Sequence, residues 1–218
     1  MDKCSKEESH AMLIRSVKRG DTEFVKGMLL SCSGVLNEPS PFADDQGRTA
    51  LGIAALFGHA KIVGAFLLTR SKVLVNKGNS EGITPLMDAC SQGHVEVVRL
   101  LCDKDILSME KQSDVNACAI DGTTALFEAA GQGNVEVLRI LCNAGAEVNQ
   151  KALGGCVALH AAAWKGNLLA GRYLVSRGGY ILKSDHDAVA KQFFHVAKKL
   201  VSPSHRHKNH VRKSGKFY

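Results

Sequence analysis

A leucine followed seven residues later by a glycine recurs along the chain, as Leu13 with Gly20, Leu51 with Gly58, Leu86 with Gly93, Leu126 with Gly133 and Leu159 with Gly166. The last four leucines are spaced by 35, 40 and 33 residues. Self-similarity at such a period marks a chain built from stacked copies of one small unit, so it decides the architecture before any residue is weighed alone. Four anchors share a register: Gly47-Arg48-Thr49-Ala50-Leu51, Gly82-Ile83-Thr84-Pro85-Leu86, Gly122-Thr123-Thr124-Ala125-Leu126 and Gly155-Cys156-Val157-Ala158-Leu159. A second apolar-periodic run follows each glycine, as in Val95 to Leu101 and Val135 to Leu141. Val75-Asn76, Val115-Asn116 and Val148-Asn149 then close three units, each Asn eight residues before the next Thr or Val.

Each position in this register has a physical reading. Thr49, Thr84 and Thr124 stand where a hydroxyl can accept from the free N–H groups that open a helix, and Pro85 suits a first turn because its missing N–H would go unused there. The glycines fall where the first helix must stop, often with positive φ. His59, His94, Asn134 and Asn167, with Asp21 after Gly20, are polar groups able to open the second helix. Ala54-Ala55, Ala89-Cys90, Ala129-Ala130 and Ala162-Ala163 put small side chains where helices of adjacent units approach closely. No unit can bury its apolar face alone, so stability has to come from stacking.

This pattern resembles the ankyrin repeat, a unit of about 33 residues with a β-turn, two antiparallel helices and a Thr-Pro-Leu-His signature. The resemblance spans residues 9 to 183; Val157 stands where Thr is usual, only Thr84-Pro85 keeps the Pro, and two linkers are long. It implies an all-α ankyrin-repeat solenoid of five helix-turn-helix repeats with β-turn tips. Residues 1–8 are expected to form a flexible N-terminus and residues 9–183 the repeat domain. A capping helix is expected over residues 184–201, opened by Asp185 and carrying Val189, Phe193, Val196 and Leu200, and a basic, His-rich disordered tail over residues 202–218. The third repeat is longer than its neighbours between Cys102 and Asp114, where Ile106, Leu107 and Met109 are apolar. Two readings stay open there: an extended helix covering the next repeat, or a loop that presents these side chains to a partner.

Composition narrows the class. The chain carries a formal charge of +7, but residues 188 to 218 hold eight Lys and Arg and no acidic residue, which leaves 20 basic against 21 acidic side chains in residues 1 to 187. The basic character therefore belongs to the C-terminal segment and not to the body. No apolar run is long enough for a transmembrane helix and the first residues are too polar for a secretory signal, so no membrane association is expected. Seven widely spaced Cys, an odd count, fit a reducing compartment, cytoplasmic or nuclear.

Catalytic readings find little support in the register. Cys102 and Cys142 occupy a slot held elsewhere by Leu29, Leu67 and Val175, and Cys90 matches Ala55, Ala130 and Ala163, so all three read as core. Cys118 and Cys156 fall in turns, where oxidation or modification is open to them. Asp88 and Glu128 share a slot in successive repeats and can face one another, which invites acid–base chemistry, yet a carboxylate in a first helical turn is already favoured by the helix dipole. His160 reads as a hydrogen-bonding support for its turn. Glu96 with Arg99 and Glu136 with Arg139 are i,i+3 pairs on an outer, solvated face. No nucleotide loop, nucleophile elbow or metal-ligand motif is present in the sequence, and no enzyme activity, metal or cofactor is expected.

Function is expected where the repeat leaves residue choice free. The resemblance implies that the turn tips and the two residues before each glycine line a concave surface. The pairs are Leu56-Phe57, Ser91-Gln92, Gly131-Gln132 and Trp164-Lys165, and the tips supply Arg48, Ile83, Ile120, Thr123 and Leu153. Aromatic and Arg side chains at such places are typical interface anchors. Trp164 keeps a second reading, as a residue packed under the C-terminal cap. The chain is accordingly expected to be a monomeric, non-catalytic module that binds a protein partner in this groove, as adaptor, scaffold or inhibitor. Two alternatives are a nucleic-acid-associated or nuclear regulator acting through the basic tail, and a regulatory subunit of an enzyme. His205, His207 and His210 with Arg206, Lys208, Arg212 and Lys213 could hold metal, nucleic acid or an import receptor, and Ser202-Pro203 a phosphate.

Overall fold

The structure, a computed structural model, describes residues 3–31, 47–69, 73–103 and 113–180. The expected capping helix, the basic tail and the Ile106, Leu107 and Met109 segment lie outside the described residues.

Among the described residues ten α-helices form pairs: α1 (Lys3–Arg19) with α2 (Thr22–Ser31), α3 (Ala50–Leu56) with α4 (Ala60–Leu68), α5 (Pro85–Gln92) with α6 (Val95–Cys102), α7 (Ala125–Gln132) with α8 (Val135–Ala144), and α9 (Ala158–Trp164) with α10 (Leu168–Ser176). Odd helices pack on odd helices and even on even, while each pair packs internally. The result is two layers of helices with the core between them, an all-α ankyrin-type solenoid. The recurring leucines Leu13, Leu51, Leu86, Leu126 and Leu159 are all buried in that core, and each contributes about 1.5–3 kcal/mol relative to an exposed position. The paired small residues are as closed off, with Ala54, Ala55, Ala89, Cys90, Ala129 and Ala130 wholly buried between neighbouring helices.

Helix starts follow the expected chemistry. Thr49 Oγ1 accepts from Gly52 N at 3.2 Å, Thr84 from Met87 N at 3.4 Å and Thr124 from Phe127 N at 3.2 Å. Val157 has no side-chain acceptor to offer. In its repeat His160 Nδ1 accepts from the Val157 N–H at 3.0 Å, so one half of a capping box remains and the histidine supports the turn.

The polar residues after the glycines act differently from expectation. Asp21 and Asn134 cap their own helices, accepting from Phe24 N at 3.1 Å and Val137 N at 3.2 Å, but His59, His94 and Asn167 make no side-chain cap. They reach back one repeat. His94 Nε2 donates to Leu56 O at 3.0 Å, and Asn167 Nδ2 donates to Gly131 O at 2.7 Å and Ala130 O at 3.1 Å, which satisfies carbonyls that the end of a helix leaves open. This reach explains the glycines. A Cβ on Gly58 would stand 2.6 Å from His94 Nδ1 and one on Gly133 2.6 Å from Asn167 Cγ, and both glycines have φ near +75° (74° and 78°).

A second ladder runs through the loops. Asn76 Oδ1 accepts from Asp114 N at 2.7 Å, Asn116 Oδ1 from Glu147 N at 2.8 Å and Asn149 Oδ1 from Tyr180 N at 3.1 Å. Asn116 and Asn149 also donate to Gly145 O and Gly178 O. The closing Asn of each repeat thus clamps the corresponding loop of the next. Two further differences concern the ends and the outer face. Helix α1 begins at Lys3, so the segment expected to be flexible is helical from that residue on, and Lys18 and Arg19 complement the negative end of its dipole. Glu136 pairs with Arg99 of the preceding repeat at 2.9 Å and not with Arg139, while Glu96 lies 3.8 Å from the same Arg99.

Candidate functional site

The tips that precede α5, α7 and α9 are tied to one another through backbone bonds. Ile120 N donates to Glu81 O at 2.9 Å and Leu153 N to Asp121 O at 2.8 Å, while Asn79 and Asp121 hold their own turns closed through their side-chain oxygens. The tips and the C-terminal ends of the odd helices therefore present one continuous edge, and side chains from three successive repeats meet there. Arg48, Leu56, Ile83, Ser91, Gln92 and Thr123 line a depression of about 170 Å³, together with Met87, Asp88 and Glu128.

Arg48 is placed otherwise than a turn tip suggests. It is buried, 9% exposed, and its Nε donates to both carboxylate oxygens of Asp88 at 3.0 and 3.1 Å. It forms the floor of the depression and is not an exposed anchor. A buried pair of this kind is costly to break, on the order of 3–5 kcal/mol, because the remaining charge stays behind. Asp88 is thereby committed to the arginine and does not face Glu128 as a free base. Glu128 is half-buried, and burial, followed by repulsion from Asp121 and Asp88, pushes its carboxyl above the ordinary glutamate value, with Lys165 acting in the opposite sense.

The rim is polar and internally bonded. Ser91 Oγ donates to Asp88 O at 2.9 Å, Gln92 Nε2 to Ser91 Oγ at 3.4 Å, and Thr123 Oγ1 to Asp121 Oδ1 at 2.7 Å. Phe57, Ile120, Gln132, Trp164 and Lys165 lie outside the lining of the depression and are exposed. Phe57 is 49% exposed with its ring stacked on His59, Ile120 is 75% exposed, and Trp164 is 62% exposed with Lys165 Nζ 5.6 Å from its ring centroid. Leu153 is also exposed at the tip of the fifth repeat. Phe57, Ile120, Leu153 and Trp164 thus leave apolar surface in water at turn tips and helix ends.

Three lining residues were not among the expected partner contacts: Met87 fills the slot that His160 holds in its own repeat, and Asp88 and Glu128 were read from their shared register as carboxylates able to face one another, not as part of a binding surface. Elsewhere, Cys90 and Cys142 are buried and Cys102 half-buried, and burial raises the thiol pKa of Cys90 and Cys142, which opposes the thiolate a nucleophile needs. Exposed Cys118 lies 2.8 Å from Gln150 Nε2. Among the described residues no helix is long and apolar enough to cross a membrane.

The profile of the family described as ankyrin repeats (three copies) matches residues 13–112 and residues 105–185, which together make up most of the chain. The chain is similar to the Drosophila melanogaster protein called ankyrin repeat and KH domain-containing protein mask, at 31% identity over 108 residues, 49% of this chain and 2% of that protein. It is also similar to the Arabidopsis thaliana E3 ubiquitin-protein ligase XBAT33, at 40% identity over 89 residues, 41% of this chain and 16% of the ligase. The chain thus spans only a small part of either relative's length.

Proposed function

We propose, from the premise that this chain belongs to the ankyrin-repeat family, that it is a non-catalytic module which binds a protein partner in its concave groove, as adaptor, scaffold or inhibitor. Ankyrin repeats are in general protein-interaction modules, and the partner's identity follows from the site and not from the fold. One observation carries the reading: tip and helix-end positions of three successive repeats converge on one depression, and Phe57, Ile120 and Trp164 are exposed at the same kinds of position. Phe57 and Trp164 are the anchors in this reading, Leu56, Ile83 and Thr123 shape the depression, and Ser91, Gln92, Gln132 and Lys165 supply adaptable polar contacts. The odd count of seven cysteines, with Cys90, Cys102, Cys118, Cys142 and Cys156 free, supports a cytoplasmic or nuclear setting.

The test uses the full chain as bait and a partner recovered with it. Phe57→Ala and Trp164→Ala should each weaken the complex by about thirtyfold, the scale of a hot-spot residue, whereas Glu96→Lys and Glu136→Lys on the outer face should change it by less than about threefold. Unchanged affinity in the first pair with weakening in the second would contradict the groove reading. A second reading, a recognition or regulatory segment of an enzyme assembly, is favoured by one relative's name as a ubiquitin ligase. It differs in that the partner's reaction rate, and not only its binding, would depend on the same residues. A tail-mediated nucleic-acid reading has the charge of residues 188 to 218 behind it, and its mark would be affinity that falls steeply with salt.

A further inference from the structure

Glu128 stands in the wall of the groove depression with its carboxylate half-buried, and among the described residues no hydrogen bond or ion pair engages it. Its neighbours neutralise it only in part. Asp88 is consumed by Arg48 on the floor, Asp121 repels it from the adjacent tip, and Lys165 is an exposed side chain whose ammonium lies over the Trp164 ring. A partly desolvated carboxylate that no hydrogen bond or close ion pair engages is a cost to the free protein, which Lys165 relieves only in part. The remaining walls of the depression include Leu56, Ile83 and Met87, which are apolar. Its volume of about 170 Å³ falls below the range of roughly 300–1,000 Å³ usual for cofactor and drug-sized ligands, and suits a single side chain.

A side chain that matches apolar walls and one free carboxylate has a methylene stem and a cationic head. We infer that the depression is a subsite for a basic side chain, lysine or arginine, of the protein partner, with the stem on Leu56, Ile83 and Met87 and the cation paired with Glu128. The inference rests on the groove reading above and adds the chemistry of the partner's anchor to it. Gln92, whose Nε2 is engaged with Ser91, keeps its carbonyl oxygen as a further acceptor at the rim. The floor pair of Arg48 and Asp88 is electrically closed and leaves the choice of ligand charge to Glu128.

Displayed random dodecapeptides selected on the full chain supply the probe, and the best binder is measured against the wild type, Glu128→Gln and Phe57→Ala. The selected peptides should share one Lys or Arg. Replacing it with norleucine, which keeps the stem and removes the charge, should weaken wild-type binding about tenfold or more and change binding to Glu128→Gln less than about twofold. An equal loss in both proteins, or selected peptides with no basic position in common, would overturn the subsite. In that case continued loss of affinity with Phe57→Ala would leave the groove reading standing, whereas indifference to Phe57→Ala and Trp164→Ala would remove both.

Discussion

At the residue scale the groove sets a recognition charge against stability. A glutamate whose pKa is higher in the folded than in the unfolded chain opposes folding wherever it is ionised, and the penalty fades as pH falls through the folded value and is gone below the unfolded one. Burial first, then Asp121 and Asp88, put Glu128 in that class against the partial relief from Lys165. Glu128→Gln should therefore raise the thermal midpoint at neutral pH, and the gain should shrink as pH is lowered through the carboxylate range. A midpoint that falls at neutral pH would mean that Glu128 is engaged and stabilising. The same scale shows where sequence reading stops. Thr49, Thr84 and Thr124 were legible because a cap is a local contact, three residues long. Arg48 was not, because its partner Asp88 lies forty residues on and only stacking brings the two together. Met87 escaped for a related reason: which side of a short helix faces the depression depends on the neighbouring repeat.

At the scale of elements, each helix pair is held to the next by bonds that a single repeat cannot make. His94 and Asn167 bond to carbonyls at the end of the preceding repeat's first helix, and Asn116 and Asn149 clamp the following repeat's loop. The sequence shows these residues recurring and gives a helix start as the obvious role for the first set; their true partners sit in another repeat, at a separation that local pattern does not encode. Asn116→Ala removes the acceptor for Glu147 N and the donor to Gly145 O together. It should cost about 1–2 kcal/mol, or roughly 2–6 °C in midpoint for a chain of this size, while Asn143→Ala on the exposed face of α8 stays within about 2 °C. Equal effects would show that the clamp contributes nothing beyond surface packing. Helix α1 departs from expectation in the other direction. The polar start of the chain hid a helix that begins at Lys3, since polar residues with good helix propensity leave no apolar period to detect.

At the scale of the whole molecule, the period of the leucine and glycine anchors was enough to give the solenoid, because each repeat contacts only its neighbours and the pattern within one unit repeats the geometry of all. Register brings Leu56, Ile83, Ser91, Gln92 and Thr123 to one depression, while Phe57, Ile120 and Trp164 lie outside its lining in solvent; that a partner binds there is the proposal. The identity of the partner is not a property of the repeat, since the residues that choose it are those the fold leaves free. Hydrogen exchange of the full chain, free and saturated with its partner, tests the groove most directly. Binding as described should slow exchange in the tips around Glu81 to Ile83 and Asp121 to Thr123 and at the C-terminal ends of α3, α5, α7 and α9, and leave α4, α6 and α8 unchanged. Protection confined to α4, α6 and α8, with the tips unchanged, would place the partner on the outer face and contradict the account.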